Sequence, residues 1–201
     1  MEAIGKLTQE NNNIIPENLV DYFNNLDIKP EEIKGDVLDV GAGNGELAEF
    51  LSKNKNIKIT AVDEKPIKNG NIEILKADAR NLPFENESFD LVISHACVPN
   101  VFLDLYSFEH PEHSESEIRS ATEKAFNEII RILKPKGEAR LAPVLFAENY
   151  DSQKILGKSI LAELDKLKAE DCDVVREFIR TDINEKNKEK TDLYRIIIKK
   201  V

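Results

Sequence analysis

The stretch Asp36-Val37-Leu38-Asp39-Val40-Gly41-Ala42-Gly43-Asn44-Gly45-Glu46 decides the fold. An apolar run of Val37, Leu38 and Val40 breaks into three glycines at alternate positions, and Leu47, Phe50 and Leu51 then follow at helical spacing. The pattern predicts a strand, a tight turn and a helix. Glycine suits such a turn because its backbone enters conformations closed to other residues and lets a ligand lie against bare main chain. The first N–H groups of the following helix point back at the turn, which favours polar or anionic groups there.

Two kinds of nucleotide site use a turn of this type. A dinucleotide fingerprint needs its third glycine one place later, where helix packs on strand, and this chain has Glu46 there. Asp39, two residues before the first glycine, also has no role in the dinucleotide version. Val37-Leu38-Asp39-Val40-Gly41-Ala42-Gly43-Asn44-Gly45 instead resembles the first motif of class I S-adenosylmethionine (SAM)-dependent methyltransferases, of the small-molecule methyltransferase-domain type. A βα turn without a ligand is the remaining alternative.

The resemblance extends along the chain from residue 34 to 145. Asp63 stands eighteen residues after Gly45, at the end of the next β-branched run; the resemblance implies that its carboxylate accepts the ribose hydroxyls of SAM. Ala77-Asp78-Ala79 is similar to the family's adenine-binding segment, with Asp78 implied to accept from the exocyclic amine. Leu82-Pro83-Phe84, Ser88-Phe89-Asp90-Leu91-Val92 and Ile129-Ile130-Arg131-Ile132-Leu133-Lys134-Pro135-Lys136-Gly137-Glu138 match further family runs in the family's order. The implied cofactor is SAM, with S-adenosylhomocysteine (SAH) as product. Its implied contacts are Asp39, Gly41, Ala42, Gly43, Asn44, Gly45, Asp63, Glu64, Asp78, Ala79 and Ser94. Asp39 has a second reading, a structural hydrogen bond to the turn amides. Asp90, inside a buried strand pattern, reads as structural.

Periodicity places helices from Pro16, over 45–53, over 116–133 and over 151–169, with Ser114 and Glu117 forming a capping box. Strands are expected at 36–41, 57–62, 72–76, 89–94 and 138–145, and two last runs, 173–180 and 192–200, close enough to form a hairpin. The expected fold is α/β and Rossmann-like: a doubly wound, mainly parallel seven-stranded sheet ending in an antiparallel hairpin. A single domain spans 1–201, with 1–34 as an N-terminal helical extension and 95–113 as a substrate-facing lid. Only eight residues, 64–71, join the second and third strands, whereas a parallel crossover normally takes a dozen or more. Eight extended residues reach ~26–29 Å, so the usual helix is expected to be missing or a single turn. That would leave the adenosine side exposed or covered by a partner.

At 201 residues with a formal net charge of −10, the chain disfavours wide contact with nucleic acid. The cations near the C-terminus, Lys186, Lys188, Lys190, Arg195, Lys199 and Lys200, read as a solvated hairpin. No stretch is apolar enough to span a bilayer and no signal-peptide core lies near Met1. Cys97 and Cys172 do not make a disulfide framework, and the expected setting is cytoplasmic.

SAM carries an electrophilic methyl on a sulfonium, so the protein's tasks are holding donor and acceptor in line and excluding water. His95, at a strand's carboxyl end, is the candidate to contact the acceptor or abstract its proton. No metal is expected: His110 and His113 flank a proline without fixed spacing. Phe102, Tyr106 and Phe108 could line an acidic lid, and Cys97 reads as a small core residue. Ser94-His95-Ala96-Cys97-Val98-Pro99-Asn100 lacks the substrate signatures of nucleic-acid methyltransferases, which favours a small-molecule acceptor and leaves room for an oligomer or a protein partner. The rival from another class is a SAM-binding scaffold that is inactive or works only with a partner.

Overall fold

The computed structural model describes residues 15–67, 72–100, 114–146, 151–170, 172–184 and 190–201. Residues 1–13, the lid residues 101–113 with His110, His113, Phe102, Tyr106 and Phe108, and Lys186 and Lys188 therefore lie outside the description.

The elements run α1 (Glu17–Leu26), a short 3-10 turn, β1 (Gly35–Val40), α2 (Glu46–Leu51), β2 (Ile57–Asp63), β3 (Ile74–Lys76), β4 (Phe89–His95), α3 (Glu115–Ile132), β5 (Leu133–Phe146), α4 (Asp151–Ala169), β6 (Cys172–Ile183) and β7 (Lys190–Lys200). They build one seven-stranded sheet in the order β3-β2-β1-β4-β5-β7-β6. β1 through β5 are parallel, and β7 inserts antiparallel between β5 and β6.

Alternation along β1 and β4 divides the core. Leu38, Val40 and Val92 face α3 and α4 together with Phe126, Ile129 and Leu156. Val37, Leu91 and Ile93 face the other way, onto Leu19, Phe23 and Leu26 of α1 and Leu47 and Leu51 of α2. Side chains alternate across a strand, so Asp39 and His95 also fall on the α1 side. Helices on both faces make the sheet doubly wound, and the chain reverses its winding between β1 and β4, where open α/β sheets bind ligands.

Three local features differ from expectation. β5 starts at Leu133, directly from α3, because Leu133 already pairs with Phe89 before a register shift, and Lys136 turns the backbone at φ 65°. Asp90 is exposed, not buried: its Oδ2 accepts from the Asp36 N–H at 2.8 Å and from Lys134 Nζ at 2.9 Å, tying three chain segments at the amino ends of the strands. The C-terminal cations are partly engaged as well. Lys200 Nζ donates to the Leu133 carbonyl, Lys199 pairs with Glu138, and Arg195 bonds Glu177 and the carbonyls of Asn24 and Asn25. Ser114 and Glu117 form the capping box, with Ser114 N–H donating to the Glu117 carboxylate at 2.7 Å. Among the described residues between β2 and β3 there is no helix.

The carboxyl end of α1 is met by cations from three strands, two of which reach its last carbonyls. Arg140 of β5 donates to the carbonyls of Leu26 and Asp27, and Arg195 of β7 to those of Asn24 and Asn25. Arg180 of β6 reaches the Asn25 side chain. Unpaired carbonyls and the negative end of the helix favour such partners. α1 is thereby fixed across the sheet, with Tyr22 facing the carboxyl ends of β1 and β4.

Candidate functional site: the glycine turn and the wall around it

The turn after β1 carries Gly41, Gly43 and Gly45 at φ of 80°, 57° and 78°. Its amides are largely used internally: Gly41 and Ala42 N–H donate to the Val62 carbonyl, and Gly45 N–H to that of Ala42. Gly43 N–H donates to Asp63 Oδ2 at 2.9 Å. A Cβ added at Gly41 would fall 2.2 Å from Cys97 Cβ, so that glycine is required by packing. One at Gly43 would meet nothing within 4 Å. Bare backbone at Gly43 thus fronts open space.

Asp39 lies under this turn, fully buried, and neither carboxylate oxygen has a hydrogen-bond partner. Four of the turn amides, those of Gly41, Ala42, Gly43 and Gly45, are already spent on Val62, Asp63 and Ala42. Burial, reinforced by the Asp63 charge, pushes its pKa up to about 7. An orphaned buried carboxylate costs stability unless a cation or donor meets it. The Asp63 carboxylate closes the end of β2, accepting from Gly43 and from Lys65 N–H at 2.8 Å.

A cavity of about 160 Å³ opens beside the turn, lined by Gly41, Asp63, Glu64, Ala77, Asp78, Ala79, Arg80 and Cys97 among others. It therefore gathers the ends of β1, β2 and β3 with the segment after β4. Asp78 sits in its wall with its carboxylate gripped by Arg80, through the backbone N–H at 2.8 Å and Nη2 at 2.6 Å, which holds Asp78 below the usual carboxylate range.

The family model of the methyltransferase domain matches residues 38–141, just over half the chain. The chain belongs to that family. It is a class I SAM-dependent methyltransferase. No protein of curated function matches it by sequence. Among solved structures it is similar to the [4+2]-cyclase SpnF, with 15% identity over 95% of this chain and 84% of that one and a TM-score of 0.54. It is also similar to a Streptococcus mutans protein described as a methyltransferase and solved with SAH, with 14% identity over 94% and 99% of the two chains and a TM-score of 0.53. These likenesses show the fold.

The methyltransferase's residues suit, by their chemistry, a cationic cofactor that carries a ribose. Asp39 offers an unmet carboxylate, Gly43 leaves backbone bare, and Asp63 lines the cavity beside the turn. Ser94 is buried, its hydroxyl donating to the Val40 carbonyl and accepting from Val98 N–H, both at 2.9 Å, so it braces the loop after β4. Asn44 donates to Glu46, whose other oxygen accepts from Asn18 of α1. Glu46, the residue that breaks the dinucleotide pattern, thus ties the turn to α1.

Tyr22 is a candidate site residue that periodicity alone does not single out. Its ring stacks on His95, centroids 4.0 Å apart and planes 23° off parallel. Burial, then the charges of Asp39 and Glu46, hold its phenol protonated. His95 is pressed down to about 4 by burial, so it is neutral at pH 7. Cys97 is pushed up to about 12, chiefly by burial and then by Asp63, which leaves a protonated thiol filling the space beside Gly41. Among the described residues no group of three or more His, Cys, Asp or Glu is placed to hold a metal ion, and no helix is long and apolar enough to cross a membrane.

Proposed function

We propose that this methyltransferase binds SAM over the Gly41–Gly45 turn and passes its methyl to a small molecule at the carboxyl ends of β1 and β4, below Tyr22. The observation that carries this reading is the pairing of an unmet buried carboxylate, Asp39, with open space at Gly43. SAM supplies an activated methyl; the chain's work is to orient, desolvate and hold. Asp39 would meet the cofactor's ammonium group, Asp63 the ribose hydroxyls, and Glu64, Ala79 and Asp78 the adenine side of the cavity. Arg80 already takes up the Asp78 carboxylate, so Asp78 contributes less than Asp63. The net charge of −10 supports a small acceptor over nucleic acid.

Asp63→Ala is expected to weaken SAH binding by about 1–3 kcal/mol, the cost of losing a charged acceptor. Titration calorimetry reads this directly, and unchanged affinity would remove Asp63 from the site. The rival reading is a cofactor-binding protein that transfers nothing; a cyclase with this fold gives it substance. Methyl-labelled SAM with the small-molecule fraction of a cell extract separates the two. Label in a product supports transfer, and tight SAH binding with no label in any fraction supports the rival.

A further inference from the structure

His95 has one ring nitrogen accounted for. The Asn25 side-chain amide lies 3.0 Å from its Nε2, and Asn25 Oδ1 accepts from Arg180 Nη1 at 3.1 Å. A guanidinium can only donate. The amide oxygen must therefore face Arg180, because the opposite orientation would set NH2 against a guanidinium N–H. The amide NH2 then donates to Nε2, which must carry its lone pair, and a neutral imidazole so held keeps its proton on Nδ1. Two charged groups act on this ring from neighbouring elements: Asp21 of α1 favours protonation, while Arg180 of β6 opposes it along with burial. The stacked Tyr22 ring fixes the imidazole plane. No described residue partners Nδ1.

We infer that Arg180 and Asn25 are positioning residues that hold His95 in its Nδ1–H form, so that His95 meets the methyl acceptor as a hydrogen-bond donor and not as its base. This rests on methyl transfer at the carboxyl ends of β1 and β4, as proposed above. The matching acceptor is a small molecule with a carbonyl or carboxylate oxygen for that N–H. Its nucleophilic lone pair forms the new bond to the methyl carbon as the sulfonium–methyl bond breaks onto sulfur, and any proton it sheds goes to water. The device joins the far edge of the sheet to the reaction centre: Arg180 is 155 residues from Asn25 and on the outermost strand.

The chain has three histidines, so long-range proton–nitrogen correlation spectra of the nitrogen-15-labelled full chain can resolve His95, assigned by its loss in His95→Gln. One pyrrole-type Nδ1 and one pyridine-type Nε2, unchanged from pH 8 to 5.5, are expected. Arg180→Met should mix the two tautomers, Arg180→Lys should keep the wild-type signature, and Asn25→Asp should reverse it by accepting from Nε2–H. An Nε2–H form in the wild type, a titration midpoint above pH 6, or an unchanged signature in both Arg180→Met and Asn25→Asp would overturn the inference. In the labelled-SAM assay, His95→Asn places an amide donor where Nδ1 lies and should keep transfer within about tenfold. A base role predicts a loss of ~10²–10⁴ in that variant instead. SAH calorimetry on the same proteins tells a failed cofactor reading from a failed tautomer assignment.

Discussion

Asp39→Asn is expected to raise the melting temperature at pH 8 while weakening SAH binding about tenfold or more. Asp39 is fully buried with both oxygens unmet, and its pKa rises from 3.8 to about 7. The unfolded chain releases this proton near 3.8, whereas the native chain keeps it until about 7. Between those values the native state binds more protons, so stability falls as pH rises through the window, by at most ~4 kcal/mol. Asparagine does not titrate and escapes that loss. It still buries an amide without partners, costing ~1–3 kcal/mol, so a net gain of about 1–2 kcal/mol is expected above pH 7, a few degrees for a chain of this size. The gain should shrink towards pH 4. Loss of a charged hydrogen bond to the cofactor's ammonium, ~1.5–3 kcal/mol, sets the affinity change. Melting curves at pH 5 and 8 with SAH calorimetry check both halves. A stability difference independent of pH, or full SAH affinity in the variant, would contradict the assignment of Asp39 as the unmet partner of a cationic ligand.

Asp39 also marks where sequence reading stops. The strand–turn–helix grammar of 36–51, the capping box at Ser114 and Glu117 and the antiparallel hairpin are local patterns, and the structure contains all three. The alternative reading of Asp39 as a partner of the turn amides depended on something not local. Pairing of β1 with β2 hands two of those amides to Val62, and Asp63 takes a third. The apolar neighbours of Asp90 imply burial, yet it is the second residue of β4, exposed at the strand's amino end, where Lys134 reaches it. Tyr22, Asn25 and Arg180 were beyond the reach of spacing. Their relation to His95 exists only once α1 is pinned by arginines from β5, β6 and β7. Glu46 was legible as an exception to a motif, but its bridge to Asn18 required that same placement of α1.

Gly43→Val and Gly41→Val are expected to fail in opposite ways, and the contrast tests whether a ligand lies on bare main chain. Both positions hold left-handed backbone, φ 57° and 80°, which costs a side chain ~1–2 kcal/mol. At Gly43 that strain is the main structural cost expected, because the added Cβ meets nothing within 4 Å. The variant should fold, melt a few degrees lower, and lose SAH affinity about a hundredfold or more, since its methyl groups fill the approach that glycine leaves clear. At Gly41 the added Cβ falls 2.2 Å from Cys97 Cβ and 2.6 Å from its sulfur. Overpacking of ~1–3 kcal/mol or more then adds to the strain, a large share of a stability of ~5–15 kcal/mol. Circular-dichroism melting should show a broad or missing transition for Gly41→Val, partly restored by adding Cys97→Gly, which removes the clash and leaves the strain. Calorimetry on folded Gly43→Val decides the functional half. Normal SAH affinity there would mean that no ligand approaches the backbone at Gly43, and the carboxylate of Asp39 would need another explanation for being left unmet.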